Sequence, residues 1–326
     1  MKKILALLLA LWIPAAVLSG CAPQDDSAAF NKLNIVTTIF PAYDWVREIL
    51  GDETDRAEIT TLLDSGVDLH SYQPTVDDIV KISDCDLFLY VGGESDGWVE
   101  DALKNAPNKE RKVIRLLDVL GDSAKAEETV EGMQEEEHDH EEEAEYDEHI
   151  WLSLKNAQVL VAAISEALQE TDPARKDAYA ANAAAYAEKL SALDGEYRAA
   201  VDSGKYKTLL FGDRFPFRYL ADDYRLDYYA AFPGCSAETE ASFETVSFLA
   251  GKMDALGLPC VLTIEGTQHK IAETIVQNTA QKNQQVLTMD SMQAVTANDA
   301  ASGVSYLSIM EKNLSVLKKA LGQEAE

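Results

Sequence analysis

From Leu33 onward, short apolar runs alternate with amphipathic helical stretches, the pattern of parallel strands covered by helices. Two sets of four strands are predicted. The first lies near residues 34–38, 58–63, 86–91 and 112–116, with helices at 43–50 and 75–82 between its members; the second lies near 207–211, 227–231, 260–264 and 285–289. Between the sets, Pro173 follows Thr171 and Asp172 at a helix-start position, and the run to Val201 is rich in Ala, Lys, Glu and Leu with no Gly before Gly195. Roughly 30 residues at about 1.5 Å each span over about 40 Å, more than one small lobe requires. The expected fold class is therefore α/β, with two lobes, each a parallel sheet covered by helices, joined by one long linker helix. A crossover helix packed within a single domain is the alternative.

Ahead of this pattern, residues 1–21 place Lys2 and Lys3 before an apolar run from Ile4 to Leu18 and end in Leu-Ser-Gly-Cys. A stretch of about fifteen apolar residues broken by Pro14 is shorter than the roughly 20 that a membrane span needs, so it reads as an export signal. Its ending resembles the bacterial lipoprotein cleavage box, which makes Cys21 the lipidated first residue of the mature chain. Acylation holds such a chain at the membrane surface, and the small, polar residues 22–32 suit a flexible tether.

Composition adds two constraints. The 326 residues carry 28 Lys plus Arg against 57 Asp plus Glu, a formal charge of −29, which becomes −31 once residues 1–20 are removed. An acidic chain without a basic stripe repels phosphate backbones, which excludes nucleic acid as a partner. Thirteen of the acids fall within 127–148, together with His138 and His140 and without Lys or Arg, so this segment is expected to be a disordered, low-complexity loop. With Cys21 lipidated, the thiols Cys85, Cys235 and Cys260 remain. Cys85 suits a buried strand, and Cys235 with Cys260 form a candidate disulfide that export would permit.

Ligands of open parallel sheets bind beyond the carboxyl ends of the strands. Four metal-capable side chains are expected there: His70, after the second strand in DLHSYQPT at 68–75; His149, in DEHIWL at 147–152; Asp213, closing the strand at 208–211 through Gly212; and Asp290, closing the strand at 286–289. Two imidazoles and two carboxylates make a plausible set for one borderline divalent ion held between lobes. Glu265, at the end of its strand, is expected to support the site by hydrogen-bonding a histidine ring or Arg214.

With these residues in place, the chain resembles the substrate-binding lipoproteins of zinc and manganese ABC importers, the metal receptors of the TroA and ZnuA type, over essentially its whole mature length. The markers are IVTTIFP from Ile35, DLHSYQPT from Asp68, DLFLYVGG from Asp86, HIWL from His149 after an acidic histidine-bearing loop, and YLSIM from Tyr306 before a final helix. This resemblance implies that His70, His149, Asp213 and Asp290 are the metal ligands. It also implies capture of one ion between the lobes and delivery to a permease and ATPase on other chains. Many zinc receptors of this type carry histidine where Asp213 stands, and a carboxylate there suits manganese; the loop with His138 and His140 resembles the loops of zinc receptors. Zinc is accordingly favoured and manganese is the alternative ion.

The domain plan is then a signal peptide at 1–20, a lipidated tether at 21–32, an amino-terminal metal-binding lobe at 33–170, the linker helix at 171–203 and a carboxy-terminal metal-binding lobe at 204–326. The expected protein is a monomer outside the cytoplasmic membrane, without catalytic residues. A phosphate-cradling loop with Lys-Ser or Lys-Thr is absent, so the chain does not hydrolyse ATP itself. A lipid-anchored metal-dependent hydrolase is opposed by the lack of a HExxH helix and by four protein ligands that would displace an activated water. A surface adhesin is compatible with the anchor, but no sequence feature specifies its partner.

Overall fold

The computed structural model describes residues 32–104, 106–134, 145–236, 240–266 and 269–323. The first lobe runs through β1 (Leu33–Thr37), α1 (Phe40–Leu50), β2 (Ala57–Thr61), α2 (Val76–Asp84), β3 (Leu87–Tyr90), α3 (Val99–Lys104), β4 (Lys112–Arg115), α4 (Leu116–Leu120) and α5 (Leu154–Thr171). After a short turn at Pro173–Arg175, α6 (Lys176–Ser203) leads to the second lobe. This comprises β5 (Thr208–Phe215), α7 (Arg218–Tyr224), β6 (Asp227–Pro233), α8 (Phe243–Leu256), β7 (Cys260–Thr263), α9 (Lys270–Asn278), β8 (Gln285–Thr288), α10 (Ala297–Ala301) and α11 (Tyr306–Ala320).

Each lobe holds a four-stranded parallel sheet, in the orders β2-β1-β3-β4 and β6-β5-β7-β8. All eight predicted strands are present, along with the long joining helix. The two sheets share a plan in which the first strand lies inside and the chain crosses over to reach β3 or β7. Loops at the carboxyl ends of the inner strands therefore converge, which is where open α/β sheets bind ligands. Local chemistry agrees with the element boundaries. Thr75 and Asp78 form a capping box at the start of α2, as Thr296 with Asp299 and Ser305 with Ser308 do for α10 and α11.

One apolar core runs through both lobes, from Trp45 and Phe88 to Phe217 and Leu262; a second, smaller core of Leu249, Val261 and Ile275 fills the far side of the second sheet. The lobes are also tied by buried polar contacts. Tyr306, at the start of α11, donates its backbone N–H to Asp44 at 2.8 Å and its hydroxyl to the Trp151 carbonyl at 2.7 Å, and its ring meets Trp45 edge-on at 5.3 Å. Trp151 in turn donates Nε1–H to the Ser291 carbonyl at 2.9 Å. Such bonds are costly to open without a replacement partner, so they keep the two lobes joined on this face. Among the described residues, no helix is long and apolar enough to cross a membrane.

Two expectations change. β5 does not stop at Phe211: it continues to Phe215, with a register shift between Phe211 and Arg214 that leaves Asp213 within an irregular stretch of strand rather than at its end. Gly212 lets α9 pack directly on this strand, because a Cβ there would stand 2.5 Å from the Ala272 backbone of α9. Gly212→Ala is expected to cost about 1–3 kcal/mol of overpacking, to be measured by urea unfolding. The other change concerns the acidic loop, whose described ends are ordered. Ala126 bridges Tyr146 in antiparallel fashion, Met133 is buried, and Gln134 donates its backbone N–H to the Ala231 carbonyl at 2.9 Å.

Candidate metal centre

The chain leaving β2 enters a single helical turn, Leu69–Ser71, that carries His70. Asp68 caps this turn, its Oδ1 accepting the His70 backbone N–H at 3.0 Å. His149 sits just before the turn Ile150–Leu152 and is fully buried. Its backbone N–H is accepted by Asp147 Oδ1 at 2.8 Å, and the same oxygen lies 3.0 Å from its Nδ1.

The two Nε2 atoms are 3.2 Å apart. Two nitrogens each about 2.0–2.1 Å from a tetrahedral zinc ion stand about 3.3 Å from one another, so the rings already have the spacing that one ion requires. The Nδ1 of His70 lies 2.9 Å from Ser95 Oγ and 3.4 Å from Glu148 Oε2. Donating both Nδ1–H groups to Asp147 and to Ser95 or Glu148 leaves both Nε2 lone pairs free to face one cation, an arrangement in which outer carboxylates fix the ligating tautomer. Burial, followed by the neighbouring His149, holds the His70 imidazole well below its ordinary range. Burial also raises the Glu148 carboxyl, against hydrogen bonds from Ser95.

Glu148 packs against Gly93, where a Cβ would fall 2.0 Å from the carboxylate. Gly93→Ala is therefore expected to displace Glu148 and lower metal affinity by about tenfold or more, measurable by calorimetric titration. A cavity of about 620 Å³ opens over His70 and Cys235, and its walls include Glu94, Glu127, Glu145 and Glu148. This acidic mouth attracts cations toward the imidazoles.

Among the described residues, the metal-capable atoms that gather within 4.8 Å of one another belong to His70, His149 and Cys235. The two histidines expected from the sequence are thus together; Asp213 and Asp290 stand outside that cluster, each with other partners. Asp213 accepts the Arg214 N–H at 2.9 Å and faces the Ile264 N–H at 3.4 Å, and burial raises its carboxyl. Asp290 accepts the Met292 N–H at 2.8 Å, and its own N–H and carbonyl are both paired with Asn313. Burial, then the nearby Glu265, raises the Asp290 carboxyl.

Glu265 hydrogen-bonds neither a histidine ring nor Arg214 among the described residues; it accepts from Ser291 N–H at 2.6 Å, Ser291 Oγ–H at 2.7 Å and Gln293 N–H at 3.1 Å, holding the chain that follows β8. Arg214 instead pairs with Asp68 across the lobes and donates to the Ser236 carbonyl at 3.3 Å. Burial alone would raise the Asp68 carboxyl, but the hydrogen bond and charge of Arg214 override it and hold it below the usual carboxylate range. Cys235 and Cys260 are free thiols, not a disulfide. Cys260 opens β7 in the core, whereas Cys235 lies beside the imidazoles. Cys21, His138 and His140 lie outside the described residues.

Sequence reasoning missed Asp147, Glu148, Ser95 and the placement of Cys235. The first two had a signal, since Asp-Glu-His at 147–149 offers a carboxylate within reach of a histidine, but thirteen acids in one stretch concealed it. Ser95 had none.

The model of the zinc-uptake complex component A family, ZnuA, described as periplasmic, matches residues 35–320. This chain belongs to the ZnuA family. A zinc-binding lipoprotein of Streptococcus pneumoniae, AdcA, is 33% identical over 99% of the chain, and the chain spans 62% of the length of that relative. The high-affinity zinc uptake system protein ZnuA of Bacillus subtilis is 29% identical, with 89% of this chain and 88% of the relative covered. Among solved structures, the Zn(II)-bound ZnuA-like domain of the S. pneumoniae AdcA superimposes with a TM-score of 0.70 at 29% identity, over 90% of this chain and all of that one. The two-sheet architecture with its joining helix is thus the ZnuA-family fold, and the family is one of substrate-binding components.

Proposed function

We propose that this chain is an extracytoplasmic receptor that captures one divalent transition metal ion between its lobes and hands it to an ABC importer, a permease with its ATPase subunit. Zinc is the favoured cargo and manganese the alternative. The observation that carries this reading is the 3.2 Å separation of the His70 and His149 Nε2 atoms, each ring oriented by an oxygen on its other nitrogen. Asp213 or Asp290 contributes an oxygen from the second lobe as it tightens around the ion, and Arg214 with Asp68 holds the lobes together on one side. His138 and His140 collect metal ahead of the main site.

Lipidated Cys21 keeps this monomeric receptor beside its permease. A shell filled by protein atoms leaves no position for an activated water, so the protein is a carrier and not a hydrolase. The names of its relatives, which speak of zinc binding and zinc uptake, support the choice of cargo.

Elemental mass spectrometry of the chain purified from residue 22 tests the reading. That chain contains the whole compact unit of residues 32–326. About one equivalent of zinc or manganese is expected per chain; absence of stoichiometric binding of either ion would overturn the receptor assignment.

A further inference from the structure

We infer that Cys235 is a protein ligand of the captured ion, so that the site is built on two imidazole nitrogens and one thiolate sulfur; this rests on the metal-receptor reading above. Its sulfur and the histidine nitrogens lie within 4.8 Å of one another, close enough for one ion to touch all three. Zinc bound to nitrogen at about 2.0–2.1 Å and to sulfur at about 2.3 Å needs nitrogen–sulfur separations of roughly 3.6 Å, which a small contraction of this cluster supplies.

The segment around Cys235 is built for that approach. Gly234 lies against the His149 ring: a Cβ there would be 3.2 Å from Nδ1 and 2.9 Å from the Phe215 carbonyl, so a larger residue would push the segment off the imidazole. The Cys235 backbone N–H is held by Glu127 Oε1 at 2.9 Å, and the Ser236 carbonyl accepts from Arg214 at 3.3 Å. The loop is thus clamped on both sides of the cysteine. Cys85 and Cys260 are buried in the lobes and unpaired, so no bridge competes for the Cys235 sulfur.

A thiolate changes which ion the site prefers. Sulfur ligands suit zinc, whereas carboxylate, carbonyl and water suit manganese. Cys235 accordingly favours zinc even though Asp213 is a carboxylate. On binding, the thiol S–H bond breaks, its proton goes to solvent, and the sulfur electron pair forms the bond to the metal; no electron is transferred.

The test uses the chain from residue 22 loaded with one equivalent of cobalt(II). A sulfur-to-cobalt charge-transfer band is expected in the near-ultraviolet and should vanish in Cys235→Ser, which keeps Cys85 and Cys260. Zinc affinity of that variant should fall by about a hundredfold, a larger loss than that of manganese affinity. Cys235→Ala, checked by circular dichroism and thermal melting, guards against a folding artefact. Full cobalt occupancy without the band, or zinc affinity in both variants within about twofold of the parent, would overturn the ligand assignment and leave the receptor reading standing. No binding of cobalt or zinc by the unmodified chain would overturn both.

Discussion

His70→Ala lowers zinc affinity by about a hundredfold or more while leaving the metal-free fold intact. A protein zinc site of four ligands releases about 10–16 kcal/mol on binding, which is roughly 2.5–4 kcal/mol for each ligand. At about 1.4 kcal/mol per tenfold, losing one imidazole removes about two orders of magnitude or more. His70 is the better test of the pair because it is partly exposed and its side-chain partners Ser95 and Glu148 border the open cavity. His149 is fully buried, and its removal strands the Asp147 carboxylate, itself buried, without the imidazole that faces it. His149→Ala should therefore lose both binding and stability, since the buried carboxylate is left with the backbone N–H of residue 149 and the missing ring leaves a cavity. Competition titration with a zinc chelator, beside a thermal melt of each apo variant, separates the two effects. An affinity in His70→Ala close to that of the parent would remove this residue from the site.

Zinc affinity rises about tenfold for each pH unit between pH 7 and 8 when the thiol of Cys235 is among the ligands. Burial pushes this thiol well above its ordinary range, with Asp147, Glu127 and Glu148 adding to the effect and a hydrogen bond from the Glu148 backbone opposing it. It therefore carries its proton at neutral pH and must release it to bind. His70 contributes no such slope there, because burial already keeps its imidazole neutral. A site of two histidines and two ionised carboxylates gives an affinity nearly flat over the same range. Calorimetry in buffers of different ionisation enthalpy counts the released protons directly.

The same depressed His70 value has a consequence for the metal-free fold. Between the folded value and about 6.5, the unfolded chain binds a proton that the folded one refuses. The contribution of His70 to stability thus rises with pH through that window, against the buried carboxyls of Asp44, Asp96 and Asp290, whose raised values act in the opposite direction. Replacing the imidazole in His70→Gln should therefore stabilise the apo protein more at pH 5.5 than at pH 7.5, relative to the parent; a difference in melting temperature between the two proteins that is the same at both pH values would contradict the sign.

The fold was almost wholly legible because its signals are local and repeated. Eight apolar runs, separated by helices with strong caps such as Thr75 and Asp78, leave few topologies open. The site was legible only where a ligand depends on its own short segment. His70 and His149 each sit in a turn fixed by a neighbouring aspartate two residues earlier, Asp68 and Asp147, so sequence carries both the ligand and its support.

Asp213 illustrates what sequence cannot convey. Phe215 continues the ladder to Pro233, so the carboxylate expected at a strand end instead stands in a bulge, turned to the backbone of Arg214 and Ile264. Cys235 is the converse case. Whether it reaches Cys260 or the histidines depends on a Cα separation set by the packing of Gly234 against His149, a contact between residues 85 apart in the chain. Glu265 was placed correctly after its strand, but its partners lie in the loop following β8, which no periodicity specifies.

The most direct test is anomalous diffraction at the zinc absorption edge on crystals of the zinc-loaded chain. One strong peak is expected between the lobes, about 2.0–2.1 Å from the Nε2 atoms of both His70 and His149. A zinc peak elsewhere, bound by Asp213, Asp290 or other acids without either imidazole, would contradict that expectation.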